Sequence, residues 1–93
     1  MYTIRRLKDF EISVQRLGRS GIKLSVKEKI EETINILASG DNLPANYKDH
    51  KLNGEFSDCR ECHIKGDLLL IYKIDKGNLV LILIDIGSHS QLF

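Results

Sequence analysis

Two stretches of this chain, Leu68–Ile74 and Leu79–Ile86, are apolar at nearly every position, and only Asp75-Lys76-Gly77-Asn78 separates them. A strand with one wet face alternates apolar and polar residues; a strand that is apolar throughout has to be covered on both faces. The intervening Gly-Asn pair suits a short hairpin connection. The chain is therefore obliged to build a sheet around a central antiparallel pair and to supply cover above and below it. With 93 residues it has material for one modest core, so residues 1–93 read as a single domain.

The first half of the chain offers the cover. From Lys8 to Leu17, the residues Phe10, Val14 and Leu17 fall at i, i+4 and i+7 on one helical face, and Gly18 and Gly21 mark its end. A second helix is expected to start at Ser25, three residues before Glu28, the spacing of a reciprocal capping box. Val26, Ile30, Thr33, Ile34 and Leu37 form its buried stripe, with Gly40 placed to end it and Asp41-Asn42 to turn the chain. Tyr2–Ile4 can open as a strand, and Lys51–Leu52 and Arg60–Ile64 add two more, punctuated by Gly54 and Gly66. The predicted order is β-α-α-β-β-β-β. The fold class is α+β, a helical hairpin packed on a mostly antiparallel four- to five-stranded sheet.

Composition excludes several classes. Hydrophobic residues make up 42% and charged residues 29%, values that argue against disorder. The longest apolar run, Leu79–Ile84, is far too short to span a bilayer, and Arg5, Arg6 and Lys8 interrupt the opening residues where a secretory leader would be apolar. A cytoplasmic protein with no membrane partner and with reduced cysteines is expected. The net charge is only +1, but residues 1–40 hold eight Lys/Arg against five Asp/Glu, and residues 41–93 hold six against eight. A local basic face remains open, because phosphate binding depends on clustering rather than on the total.

All three histidines, His50, His63 and His89, lie in the second half. Imidazoles give and take protons near neutral pH. RNA can be cut without metal when one group takes the 2′-OH proton and another protonates the departing 5′-oxygen. The residues alone leave two readings open, a convergent site or three scattered side chains, since sequence spacing does not report spatial convergence. Along a strand at Arg60–Ile64, Glu61 and His63 share a face, and Asp67 can approach them across the turn. A carboxylate there orients the ring and stabilises its protonated form; a solvated turn acid is the other reading of Asp67. Lys48, Lys51, Arg60 and Lys65 bracket the histidines as candidate phosphate contacts. Tyr47, Phe56 and Phe93 are candidates to stack on bases, and Tyr72 reads as core.

Cys59-Arg60-Glu61-Cys62-His63 matches the C-x-x-C-H pattern of haem attachment. Haem attachment requires export, a zinc knuckle requires a second ligand pair, and a redox C-x-x-C usually opens a helix. None of these conditions is met, so small packing residues are expected, with no metal and no cofactor. A site of three histidines and an acid is conceivable, but no short ligand spacing supports it.

Three blocks carry a family likeness: Tyr47-Lys48-Asp49-His50-Lys51-Leu52 with Gly54; Arg60-Glu61-Cys62-His63-Ile64 with Asp67 and Leu69-Leu70-Ile71-Tyr72; and Gly87-Ser88-His89-Ser90 with Leu92-Phe93. Their order and spacing resemble the YafQ branch of the RelE toxin superfamily over essentially the whole chain. The resemblance implies an mRNA interferase that enters the ribosomal A site and cleaves mRNA. It also implies an antitoxin of the DinJ or RelB kind and contact with operator DNA only through that complex. It further implies that His50, His63, Asp67 and His89 are catalytic, that Glu61 lines the site and that Phe93 contacts the RNA. His50 takes the role of base and His89 that of acid in this reading. One position departs. Many relatives carry arginine where this chain has Asp85, and arginine there would neutralise developing phosphorane charge. Either another cation substitutes, or the chain is a slow or impaired enzyme whose task is to bind an antitoxin and modulate operon repression. Leu68 likewise replaces a tryptophan of some relatives.

Overall fold

The structure is a computed structural model describing residues 1–93. Strand β1 (Thr3–Arg6) leads into helices α1 (Lys8–Arg19) and α2 (Leu24–Ala38); strands β2 (His50–Lys51), β3 (Arg60–Lys65), β4 (Leu68–Asp75) and β5 (Val80–Ser88) follow, then a one-turn helix α3 (His89–Leu92). The sheet order is β1-β5-β4-β3-β2. The strands from β2 to β5 pair antiparallel, the helical hairpin carries the chain from β1 at one edge of the sheet to β2 at the other, and the last strand, β5, returns to pair with β1 in parallel.

The two apolar stretches occupy the inner strands, as their patterning requires. Leu70 and Tyr72 of β4, with Leu81, Leu83 and Ile86 of β5 and Cys62 and Ile64 of β3, pack against Phe10, Ile30, Ile34 and Leu37 of the helices. Leu69 and Ile71 alternate to the other face and are also buried. Strict alternation would put residue 85 with Leu81 and Leu83 in the core. A bulge prevents this: Tyr72 pairs with Leu83 and Ile71 with Asp85, so Ile84 is the extra residue and Ile86 takes the core position instead. The Asp85 carboxylate accepts the Ile86 N–H (2.8 Å) and the Ser13 hydroxyl of α1 (2.6 Å). Asp85 thus satisfies the backbone at the bulge and ties α1 to β5.

Two expectations change. Helix α2 begins at Leu24 with Lys23 as N-cap and no side-chain cap, so Ser25 already lies inside the first turn and the Ser25–Glu28 capping box does not form. A reciprocal box forms instead at α3, between Ser88 and Gln91. Val14, expected on the buried stripe of α1, is exposed, because only Phe10 and Leu17 of that face reach the sheet side. Gly40 does end α2, at φ +87°, with its N–H bonded to the Leu37 carbonyl.

In the β4–β5 hairpin the Asp75 carboxylate accepts both the backbone and the side-chain amide of Asn78. The left-handed residue is the next one, Leu79, at φ +56° and 56% exposed. That conformation costs an ordinary L-residue about 1–2 kcal/mol, and asparagine tolerates it better. Leu79→Asn is expected to raise stability by about 1 kcal/mol, read as a higher urea midpoint; an unchanged or lower midpoint would count against stored strain here.

Candidate active site

The β2–β3 register sets His50 opposite Glu61, and alternation along β3 sets His63 on the same face as Glu61. One carboxylate oxygen of Glu61, Oε1, lies 3.6 Å from His50 Nε2 and 3.8 Å from His63 Nε2. The carboxylate is nearly buried (8% side-chain exposure), whereas His50 and His63 are 50% and 35% exposed. The two rings stand 6.4 Å apart, tilted by 41°. The result is an acid seated in the sheet surface with two solvent-facing imidazoles above it. Leu69 and Ile71, the β4 partners of His63 and Glu61, supply a dry floor. A charge in that setting acts on its neighbours more strongly than in bulk water.

His50 Nδ1 lies 2.7 Å from the Lys48 carbonyl. A carbonyl only accepts, so Nδ1 donates, and in the neutral ring Nε2 carries the free lone pair.

A second cluster forms where β5 ends. Ser88 caps α3 with its hydroxyl on the Gln91 N–H, while Gln91 Oε1 accepts the Ser88 N–H at 2.8 Å. A Cβ at Gly87 would lie 2.9 Å from Gln91 Oε1, so a larger residue there would press on the capping amide. The turn presents His89 against Phe93 (ring centroids 5.1 Å apart), and Phe93 meets Phe56 edge-on at 6.0 Å. Phe56 belongs to the β2–β3 connection, so the chain's last turn leans toward the elements that carry His50 and Glu61.

The register relates the clusters. His63, Leu69 and Gly87 are successive cross-strand partners on β3, β4 and β5, a span of roughly 10 Å, and His89 follows Gly87 by two residues. Leu68 pairs with Ser88, so Asp67 and His89 extend from the same end of the sheet. Asp67 is exposed in the β3–β4 turn. His50, His63 and Glu61 are in mutual contact; His89 is in contact with Phe93 rather than with either imidazole.

Several candidates lie elsewhere. Arg60 and Lys51, expected to hold phosphate beside the histidines, are cross-strand partners on the opposite face, where both line a cavity of about 600 Å³ near the end of α2. Arg60 Nε is committed to Asp49 at 3.2 Å. The alternation that unites His50 with Glu61 sends their neighbours the other way. Lys48 and Lys65 are exposed and remain available. Tyr47, considered as a base-stacking residue, is buried in the core beneath Lys29 Nζ, 4.6 Å from the ring centroid. Tyr72 is core, as expected, and its hydroxyl donates to Asp49 at 2.6 Å. Asp49, which the sequence offers only as one residue of the first motif block, is the partner of both Arg60 and Tyr72, and its one hint is the polar tip of Tyr72 beside Leu68–Ile71.

Cys59 and Cys62 are free, buried thiols. Burial, then the Asp49 and Glu61 charges, push Cys62 up to about 12, and burial followed by the Asp58 contact raises Cys59. Both stay protonated, unlike thiolate nucleophiles or metal ligands. No three His, Cys, Asp or Glu side chains converge as a ligand set.

A helical hairpin on a five-stranded mixed sheet is a fold shared with solved bacterial toxins. A metal-bound toxin from Helicobacter pylori superposes with TM-score 0.88 at 41% identity over 100% of both chains. The Escherichia coli DinJ-YafQ complex superposes with TM-score 0.87 at 26% identity, over 100% of this chain and 99% of that one. By sequence, a putative toxin YafQ of Haemophilus influenzae is 38% identical over 66 residues, and the mRNA interferase toxin YafQ of E. coli K12 is 44% identical over 52. Those alignments cover 71% and 55% of this chain but only 65% and 53% of the two relatives. The chain belongs to the family described as bacterial toxin of type II toxin-antitoxin system, YafQ, whose profile matches residues 2–93.

Proposed function

We propose that this toxin is an endoribonuclease that cuts mRNA on the ribosome. The observation that carries the reading is the Glu61 carboxylate between the Nε2 atoms of His50 and His63. His50 above this buried acid, with His63 beside it to meet the phosphate, suits in-line attack of a 2′-oxygen on the adjacent phosphorus. His50 Nε2 takes the 2′-OH proton, the 2′-oxygen forms a bond to phosphorus, and the P–O5′ bond breaks. His89 returns a proton to the departing 5′-oxygen. Glu61 stabilises the imidazolium formed in the first step. His63 and Asp67 orient the phosphate, Lys48 and Lys65 offset its charge, and Phe93 stacks on a base.

The named E. coli relative is an mRNA interferase toxin, and the E. coli DinJ-YafQ complex supports an antitoxin partner for this chain. Operator DNA would be reached only through that partner. Incubating the purified protein with programmed ribosomes tests the reading. Fragments with a 2′,3′-cyclic phosphate (or the derived 3′-phosphate) and a 5′-hydroxyl are expected. Fragments with a 5′-phosphate would point to a different chemistry, and no cleavage would reject the activity.

The hydrogen bonds of Asp85 to Ser13 and Ile86 favour a second reading. A side chain committed to the bulge cannot supply charge to the phosphate, as an arginine at this position could. In that reading the chain binds its antitoxin and tunes repression with little turnover. Asp85→Asn keeps the acceptor oxygen and removes the charge; a tenfold gain in cleavage would favour an enzyme held back by this residue.

A further inference from the structure

His50 sits on a two-residue edge strand and is half exposed, a poor setting for holding a ring still. The residue before it is held firmly. The Asp49 carboxylate accepts the Tyr72 hydroxyl at 2.6 Å and Arg60 Nε at 3.2 Å. Arg60 and Tyr72 are cross-strand partners on β3 and β4, so one carboxylate ties the start of β2 to two inner strands. Burial, reinforced by Asp49, pushes the Tyr72 phenol far above its usual pKa, so it remains a donor throughout the working pH range. Asp49 reaches toward the helix-covered face, and the next side chain, His50, turns to the other face and Glu61.

On the other side of Asp49, Lys48 occupies the left-handed region (φ +51°, ψ +41°), a conformation that persists in a non-glycine residue only when its surroundings enforce it. It is this conformation that brings the Lys48 carbonyl to His50 Nδ1 at 2.7 Å. We propose that Asp49, gripped by Tyr72 and Arg60 from the far face of the sheet, is a positioning residue: it holds Lys48 in the left-handed conformation and so selects the Nδ1–H tautomer of His50, leaving the Nε2 lone pair for the substrate. The inference rests on His50 acting as the proton acceptor, but the tautomer can be measured without RNA.

The experiment is ¹⁵N NMR of the histidine rings in the intact protein, at a pH where His50 is neutral, alongside ribosome-dependent cleavage. The proteins compared are wild type, Tyr72→Phe, Asp49→Ala and Asp49→Asn. Wild-type His50 is expected as Nδ1–H. In Tyr72→Phe and Asp49→Ala the Nε2–H tautomer should become populated. Cleavage should fall about tenfold in Tyr72→Phe and about a hundredfold in Asp49→Ala, with KM nearly unchanged. Asp49→Asn, which keeps the acceptor oxygen, should recover much of both. Tyr72→Phe loses one hydroxyl and serves should Asp49→Ala fail to fold. A tautomer unchanged from wild type overturns the proposal whatever the rate does, and a changed tautomer with wild-type cleavage overturns its link to catalysis. If the wild type cuts no RNA, the nuclease reading fails, and the NMR result still decides whether Asp49 sets the ring.

Discussion

His50→Ala is expected to lower cleavage of ribosome-bound mRNA by about a hundredfold to ten-thousandfold, the usual contribution of a positioned acid or base. His89→Ala should fall in the same range. The size of the effect follows from what each ring does to a proton rather than from what it contributes to folding. His50 is half exposed and its one hydrogen bond runs to the backbone two residues earlier, so its removal should change unfolding free energy by less than about 0.5 kcal/mol. Large kinetic loss with an unaltered urea midpoint is therefore the signature. Because the two rings serve a single displacement, their losses should not add: the double variant should be little worse than either single one. In cells, expression of either variant should no longer arrest translation. A double variant that remains fully toxic would remove the histidines from the mechanism. Glu61→Gln is a useful companion, since it keeps the shape of a buried side chain and removes the charge that both rings face.

The second large effect is structural. Leu70 is fully buried on β4, between β3 and β5 and beneath the helices. Leu70→Ala should cost about 3 kcal/mol, from lost transfer energy and the cavity left behind. A domain of this size is stable by only about 5–15 kcal/mol, so the midpoint of thermal unfolding should drop by roughly 10–25 °C. A loss below about 1 kcal/mol would mean that the surrounding helices collapse onto the gap and that the core is looser than its packing implies. Leu70 carries stability with no chemistry, and His50 carries chemistry with almost no stability.

The same division bears on Asp85. Read along the chain, it is a negative charge close to a site expected to take a phosphate. In the folded protein it satisfies the N–H exposed by a bulge and anchors Ser13 of α1. Its negative charge has a use that is local to the backbone, and any penalty to catalysis is separable from that use, because asparagine can keep the hydrogen bonds without the charge.

Local physics is legible in the sequence. A period of 3.6 places both helices, and two unbroken apolar runs around a turn place the inner hairpin, because burial is a property of short segments. Alternation alone put Glu61 and His63 on one face, and the three motif blocks carried the family. Contacts between distant segments were not legible. Nothing within Thr3–Arg6 says that it pairs in parallel with Val80–Leu83, and nothing around Asp49 says that it will meet Tyr72, 23 residues later. The Ser25–Glu28 spacing resembles a helix start, but the cap falls two residues earlier, at Lys23, and the reciprocal box forms at Ser88–Gln91 instead. Arg60 shows the limit most plainly. Its neighbours in sequence include Glu61, yet in space it belongs to Asp49 on the opposite face. A strand separates adjacent side chains by the thickness of the sheet, and only the pairing of strands decides which distant groups they meet.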